Sequence, residues 1–426
     1  MRQKLSSLFS DYGMVLVLAV LFAIFSITTL KEQTAEGYGA GQQLAEKALS
    51  SGVTELVLVV GTSSDDQLVK EGLEESLKGR GIEVHIIETI EPPQAKKALK
   101  ELAATIPANT LIACSKKTGN WTFYNSVDHF KDSEVLIPKS ETVSTFLKAS
   151  NLKTLPDKTA KTAIIAIGMT MIIITAGIDL SVGSLVALAT VVSTMTLQIV
   201  FGNSSSPVMI GLSFLAGISA AGFCGFINGT LSTFFRIPPF IVTLAMMLIA
   251  RGVALNLTGN RTIKVGLPDI SWLGQMPNPI ILMLLLYGIA YFVMHKTIFG
   301  RQIYAIGGNE EAARLSGVPV KRVLISVYTI SGIVAGIAGI VMASELNSGS
   351  GEFGQTWELN VIAAVVVGGT SLMGGQGKII GTLIGCAIIE VINNGMNLMA
   401  ISSNTQQIVL GCVILAAIIV DKIKKK

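Results

Sequence analysis

Ten long runs of mostly apolar residues constrain this chain more than any other feature. About 20 such residues are what an α-helix needs to cross the ~30 Å hydrocarbon core of a bilayer. The runs fall near residues 13–30, 162–178, 181–201, 208–229, 238–257, 279–294, 323–343, 359–372, 378–396 and 405–420. Half of the residues are hydrophobic and only 14% are charged, where a soluble enzyme carries about 25%. A surplus of that size needs lipid as solvent rather than a larger core. The expected fold class is an all-α polytopic membrane protein of about ten transmembrane helices.

Charge is unevenly distributed, and that divides the chain. Of 32 basic and 28 acidic residues, 16 and 18 lie between Lys31 and Lys161. The expected organisation is therefore a first transmembrane helix over 1–30, an inserted soluble domain over 31–160 and the main transmembrane domain over 161–426. Arg2 and Lys4 precede the first run, and Lys422, Lys424, Lys425 and Lys426 follow the last. The positive-inside rule then puts both termini in the cytoplasm and requires an even number of spans. Threading ten spans from there places Arg236 and the basic stretch 295–322 inside, and the charged insert outside. Long domains translocate largely regardless of charge, so the insert's basic residues are no objection. An uncleaved anchor is favoured over a secretory signal, since no A-x-A site follows the first run.

Several chemistries are excluded. The net charge of +4 is small and dispersed, which argues against a nucleic-acid partner. Cys114 is alone in the insert, so no disulfide forms within that domain. His85, His129 and His295 are scattered without metal-ligand spacing. No G-x-S-x-G elbow occurs, and the one Gly-Lys pair, Gly377-Lys378, lacks the upstream glycine of a Walker A loop. We expect no catalytic residue, no metal and no cofactor. Glycines and alanines four apart, as at Gly217, Ala221, Gly225 and Gly229, indicate close helix packing and no function of their own.

Three stretches carry more information. Gly177-Ile178-Asp179-Leu180-Ser181-Val182-Gly183-Ser184 is wedged between two apolar runs. A carboxylate facing lipid at a helix centre costs about 2.5–3.5 kcal/mol on insertion scales. Asp179 therefore marks either a discontinuous helix lining a passage or an N-cap of the third span. The run from Gly368 to Lys378 is a second glycine-dense break, with Thr370 and Ser371 as its hydroxyls. Paired interruptions point to a translocation site, so Asp179, Ser181, Ser184, Thr370 and Ser371 are the candidates for lining or gating the pathway. In the third stretch, Gly307 to Pro319, Asn309 reads as an N-cap and Glu310 and Glu311 complement the helix dipole. Glu310 is expected to pair with Arg314, and Gly317 and Pro319 to stop the helix. A short capped cytoplasmic helix is specified, serving either as a rigid docking element or as a structured loop without a partner.

These stretches, with Arg236-Ile237-Pro238-Pro239-Phe240, Asn393-Asn394-Gly395 and the basic tail, closely resemble the membrane permeases of ribose-type ABC sugar importers. The resemblance covers residues 1–30 and 160–426. It implies a ten-helix, multi-pass permease of the cytoplasmic (inner) membrane, working with a second permease copy as a homodimer and translocating a monosaccharide. It also implies that separate cytoplasmic ABC ATPase subunits hydrolyse ATP and engage the helix carrying Asn309, Glu310, Glu311 and Arg314, while a periplasmic sugar-binding protein delivers the sugar. Two departures stand out. Glu390 occupies a span position that is usually uncharged, where it reads as a titrating or sugar-contacting group or as a snorkelling or Asn393-paired one. The family also joins its first two spans by a short segment rather than by a domain.

Within that domain, 55–60, 82–88, 110–114 and 134–137 read as strands, and 65–78, 94–104 and 141–149 as helices. Alternation of this kind means a small parallel α/β domain. It looks like one lobe of a periplasmic sugar-binding protein, with ligand positions beyond the strand ends at 61–65, 88–89 and 115–116. Trp121, Phe123 and Tyr124 are candidates for contact with a sugar or a receptor, or else for core packing. Two rival functions fit the sequence less well: an ion-coupled carrier using Asp179 and Glu390, and a membrane-anchored small-molecule receptor.

Overall fold

The computed structural model describes residues 2–107, 110–131, 133–202, 206–265 and 268–424. Lys425 and Lys426 of the basic tail lie outside these residues. The chain divides into two compact units, one made of 1–29 and 146–426 and the other of 30–145. The second boundary comes earlier than the expected 161, because one helix runs unbroken from Ala149 to Ile174. Its first turns carry charges that look soluble in the sequence, yet Lys161 is buried and pairs with Asp157 at 3.0 Å and with Glu345. Charges that neutralise one another four residues apart can belong to a membrane helix.

In chain order, helix α1 (Arg2–Thr28) leads to the smaller unit. That unit comprises β1 (Leu30–Thr34), α2 (Gly37–Ser50), β2 (Glu55–Val60), α3 (Ser64–Leu77), β3 (Glu83–Glu88), α4 (Pro92–Leu102), β4 (Leu111–Cys114), β5 (Val135–Leu136) and β6 (Ser140–Ser144). Four strands form a parallel sheet in the order β3-β2-β4-β5. β2 is central and buried almost throughout, which is why it reads as a continuous Leu-Val-Leu-Val-Val run. β1 and β6 pair antiparallel as a separate ribbon, so the helix expected over 141–149 is a strand for its first half. A nine-residue window is too short to tell helix from strand, and Thr142 and Val143 favour the pleat. α2 is not legible in sequence because Gly37, Gly39 and Gly41 lower its helix propensity. Packing decides instead: a Cβ on Gly41 would overlap the Val69 carbonyl, and one on Gly72 the Tyr38 carbonyl. Glycine at the crossing lets α2 and α3 approach backbone to backbone.

The larger unit continues with α5 (Ala149–Ile174), α6 (Val182–Met195, extended by a π-turn to Val200), α7 (Pro207–Phe234), α8 (Pro239–Thr258), β7 (Ile263–Lys264), α9 (Asn278–Lys296), α10 (Ile298–Gly308), α11 (Glu310–Leu315), α12 (Val320–Leu346), β8 (Ser348–Gly349), α13 (Trp357–Val367), α14 (Ile379–Leu398) and α15 (Ser403–Lys424). Among the described residues, six helices are long and apolar enough to cross a membrane: α6 with its π-turn, α7, α8, α9, α12 and α14. Leu244, Leu248 and Ile249 on α8 and Leu284 and Leu285 on α9 are exposed, the outward apolar face that lipid requires. The expected eighth span, 359–372, is instead the 11-residue α13. At 1.5 Å per residue it covers about 16 Å, half a bilayer core.

Candidate functional site

α12 is the axis of the site. Ser331, on the twelfth of its 27 residues, lies about 16 Å along it and donates to Asp179 Oδ2 at 3.1 Å. The segment between α5 and α6 thus reaches the middle of the bundle before α6 begins. Asp179 is fully buried, and its Oδ1 accepts from the Ser181 N–H at 2.9 Å and the Ser181 hydroxyl at 2.6 Å. Asn228 on α7 donates to Ser181 Oγ at 3.0 Å, and Thr243 on α8 donates to the Ile178 carbonyl at 3.3 Å. Asp179 therefore ties its own turn to α12, while Ser181 and Ile178 beside it take the bonds from α7 and α8; the residue preceding α6 is Ser181, without a side-chain cap. Tyr328 Oη, buried without a hydrogen-bond partner among the described residues, lies over Gly177.

A second segment reaches the same depth from the other direction. Ser350 exchanges hydrogen bonds with Thr190 (3.3 and 3.4 Å), Gly349 packs on Thr190 and Thr194, and Gly354 packs on Gly183. Residues 348–354 therefore descend antiparallel to α6 along most of its length, and α13 begins only there. Arg251 on α8 holds this extended stretch by donating to the carbonyls of Gly351 (2.6 Å) and Phe353 (2.5 Å). Unwound backbone inside a membrane protein needs such donors, since lipid offers none. The N-termini of α6 and α13 thus meet at mid-bundle, with the Glu358 carboxylate against Gly183. Non-helical backbone precedes both α6 and α13, where the sequence pointed to a break at 177–184.

Below this level the two glycine-dense breaks converge. The Gly375 N–H donates to the Ile174 carbonyl at 2.8 Å, and the Tyr304 hydroxyl donates to the Gly377 carbonyl at 2.8 Å. Gly307, near the end of α10, is wedged between them: a Cβ there would overlap the Ile174 oxygen and lie 2.6 Å from Gly375 N. Two residues later Asn309 opens α11, its Oδ1 accepting from the Ala312 N–H at 2.9 Å. The capped helix expected there is present. Its ion pair differs, because Arg314 takes Glu311 at i+3 rather than Glu310, at 2.5 Å. Glu310, Glu311, Arg314 and Leu315 are exposed, and Ala313 alone anchors the helix inward.

The remaining candidates sort as follows. Ser184, Thr370 and Ser371 are buried like Asp179 and Ser181, all at 2% exposure or less. Among the described residues the Ser184 and Thr370 hydroxyls have no hydrogen-bond partner, whereas Asp179 and Ser181 are hydrogen-bonded. Glu390 is buried and accepts from the Thr162 hydroxyl at 2.7 Å, not from Asn393. Trp121, Phe123 and Tyr124 pack in an apolar cluster with Leu99, Ile112 and Phe130, and the Tyr124 hydroxyl donates to the Thr118 carbonyl at 2.8 Å. They pack in this core because the twenty-residue β4–β5 connection, 115–134, covers that face of the sheet. Sequence reasoning missed Asn228, Arg251, Ser331 and Gly307. Asn228 and Arg251 had a usable signal, each being a strong polar group inside an apolar run. Gly307 had none, because only the fold brings it against Ile174 and Gly375.

Comparison with known proteins follows this geometry. The family model described as branched-chain amino acid transport system / permease component matches residues 158–418. The ribose import permease protein RbsC of Escherichia coli is 41% identical over 301 residues, covering 68% of this chain and 92% of that protein. The ribose import permease protein RbsC of Bacillus subtilis is 42% identical, covering 66% and 87%. The fructose import permease protein FrcC of Rhizobium meliloti is 35% identical, covering 65% and 79%. No solved structure matches the chain. The chain belongs to this permease family and is a transport subunit rather than an enzyme.

Proposed function

We propose that the chain is the membrane-spanning subunit of an ATP-binding-cassette importer that carries a monosaccharide across the cytoplasmic membrane. Two copies form the pathway, separate cytoplasmic ATPase subunits grip α11, and an extracytoplasmic receptor delivers the sugar to the opposite face. Both termini are cytoplasmic. α1, α5 and α15 cross with the six long helices, the stretch 348–367 makes a tenth, discontinuous crossing, and residues 30–145 project outside as an inserted α/β domain.

The observation that carries this reading is the junction of Ile174, Gly307 and Gly375 directly beside α11. A displacement of α11 is passed to both breaks through backbone in contact with backbone, which leaves no soft side chain to absorb it. Asp179, Ser181, Ser184, Thr370 and Ser371 then act as the gate, with the bonds of Asp179 to Ser181 and Ser331 remade between the two access states. The lining is a different set. Gln355 and Thr356 are exposed at the mid-bundle start of α13, and polar groups at that depth face water or a partner rather than lipid. They lie where the N-termini of α6 and α13 offer N–H donors to sugar hydroxyls. ATP binding to the ATPases drives the cycle only by favouring one access state over the other.

The test is reconstitution in proteoliposomes with a candidate ATPase and receptor. We expect sugar uptake that requires ATP, and loss of ATPase association when Glu310 and Glu311 are both replaced by alanine. Uptake by the purified chain alone, or uptake driven by a proton gradient without ATP, would overturn the proposal.

A further inference from the structure

The unit of residues 30–145 contains a cavity of about 210 Å³ at a meaningful place in its sheet. From β2 the chain passes to β3 on one side and then returns to β4 on the other. Where strand order reverses in an open parallel sheet, the loops beyond the strand carboxyl ends diverge to opposite faces and leave a crevice. The cavity occupies that crevice: Ser63 caps α3 after β2, Asp65 and Asp66 stand in the first turn of α3, and Ser115, Lys117 and Asn120 follow β4. A Glu36–Lys116 ion pair of 2.6 Å closes one side.

We propose that this crevice binds an uncharged, polyhydroxylated molecule of monosaccharide size. Each sugar hydroxyl both donates and accepts, and the lining supplies carboxylates, ammoniums, hydroxyls and an amide in one wall. A helix N-terminus ordinarily attracts anions, but Asp65 and Asp66 stand in the first turn of α3 and repel them. Lys116 and Lys117 do the same to cations. Carbon makes up most of the accessible lining, with Ala35 and Val69 among its contributors, which suits the C–H faces of a sugar ring beside the polar groups. The volume equals about seven waters at ~30 Å³ each, below the ~300 Å³ where drug-sized pockets begin.

The acceptor at the centre is preorganised. Asp66 is 4% exposed, and Ser63 Oγ donates to its Oδ2 at 2.5 Å. Burial works to raise the Asp66 pKa, but hydrogen bonds from Ser63 and Ser115 and the Lys117 charge outweigh it and hold the pKa below the ordinary value. The carboxylate is therefore charged at neutral pH and ready to accept from a hydroxyl.

The site is independent of the transport pathway, and so is its test. Full-length protein purified in detergent, without ATPase or receptor, is dialysed against radiolabelled ribose, xylose, glucose and fructose, and separately against inorganic phosphate. We expect saturable binding of at least one neutral sugar at one site per chain. Affinity should fall tenfold or more in Asp66→Asn and fivefold or more in Asn120→Ala, an exposed position whose variant should keep the wild-type melting curve. Glu101→Ala, an exposed position on α4 that does not line the crevice, should leave this binding unchanged. Absence of saturable sugar binding, saturable binding of phosphate instead, or binding that survives both crevice substitutions would overturn the proposal. Binding lost only in Gln355→Ala of the membrane unit would also overturn it, and would assign the ligand to the membrane pathway.

Discussion

The two interruptions of the membrane unit are held by opposite means. The segment before α6 is fixed by side chains: Asp179 accepts three hydrogen bonds, from Ser181 N–H, Ser181 hydroxyl and Ser331, while Asn228 donates to Ser181 and Thr243 to the Ile178 carbonyl. The loop 368–378 is fixed by backbone, with Thr370 N–H on the Val365 carbonyl, Ser371 N–H on Gln376, Gly374 N–H on Ser371 and Gly375 N–H on Ile174. A side-chain network can rearrange bond by bond, which suits a gate. A backbone-packed glycine loop moves as one body, which suits a transmission element beside α11.

Four substitutions can break or sharpen this contrast. Gly307→Val should have the largest effect, because the new side chain meets backbone on both sides. We expect at least about 4 kcal/mol of destabilisation, read by thermal unfolding in detergent, together with loss of ATP-driven uptake. Asp179→Ala should follow, at about 3 kcal/mol, since it strands buried Ser181 and Ser331 donors. Asp179→Asn should recover part of that loss, and equal losses in the two variants would show that the carboxylate's bonds are not what holds the segment. Ala176→Gly should stabilise by about 1 kcal/mol, because Ala176 has φ +62°, a conformation that L-residues adopt only at a cost. Ser371→Ala should cost the least, about 0.5 kcal/mol, as its hydroxyl accepts a long 3.2 Å bond from the Met373 N–H. A loss as large as that of Asp179→Ala would mean that side chains hold the second loop too.

The smaller unit extends the contrast to legibility. Its central strand over 55–60 is readable because burial on both faces demands an unbroken aliphatic run. α2 is unreadable because its glycines serve contact with α3, and residues 141–149 mislead because periodicity over so few positions does not separate strand from helix. The same division holds at the candidate site. The Asn309 cap of α11 is written in adjacent residues, and the structure has it. The partner of Arg314 depends on which rotamer reaches across one turn, and it proved to be Glu311.

Local patterns in the sequence were enough to establish the polytopic helical character, the two glycine-dense breaks and the capped helix between α10 and α12, because each depends on residues a few positions apart. Tertiary structure alone decided that both breaks meet at Gly307, that α6 and α13 start face to face at mid-bundle, and that the insert's aromatics fill its core. Those outcomes depend on backbone surfaces approaching within van der Waals distance from positions far apart in the chain, and nothing in a residue's immediate neighbours specifies what will be packed against it.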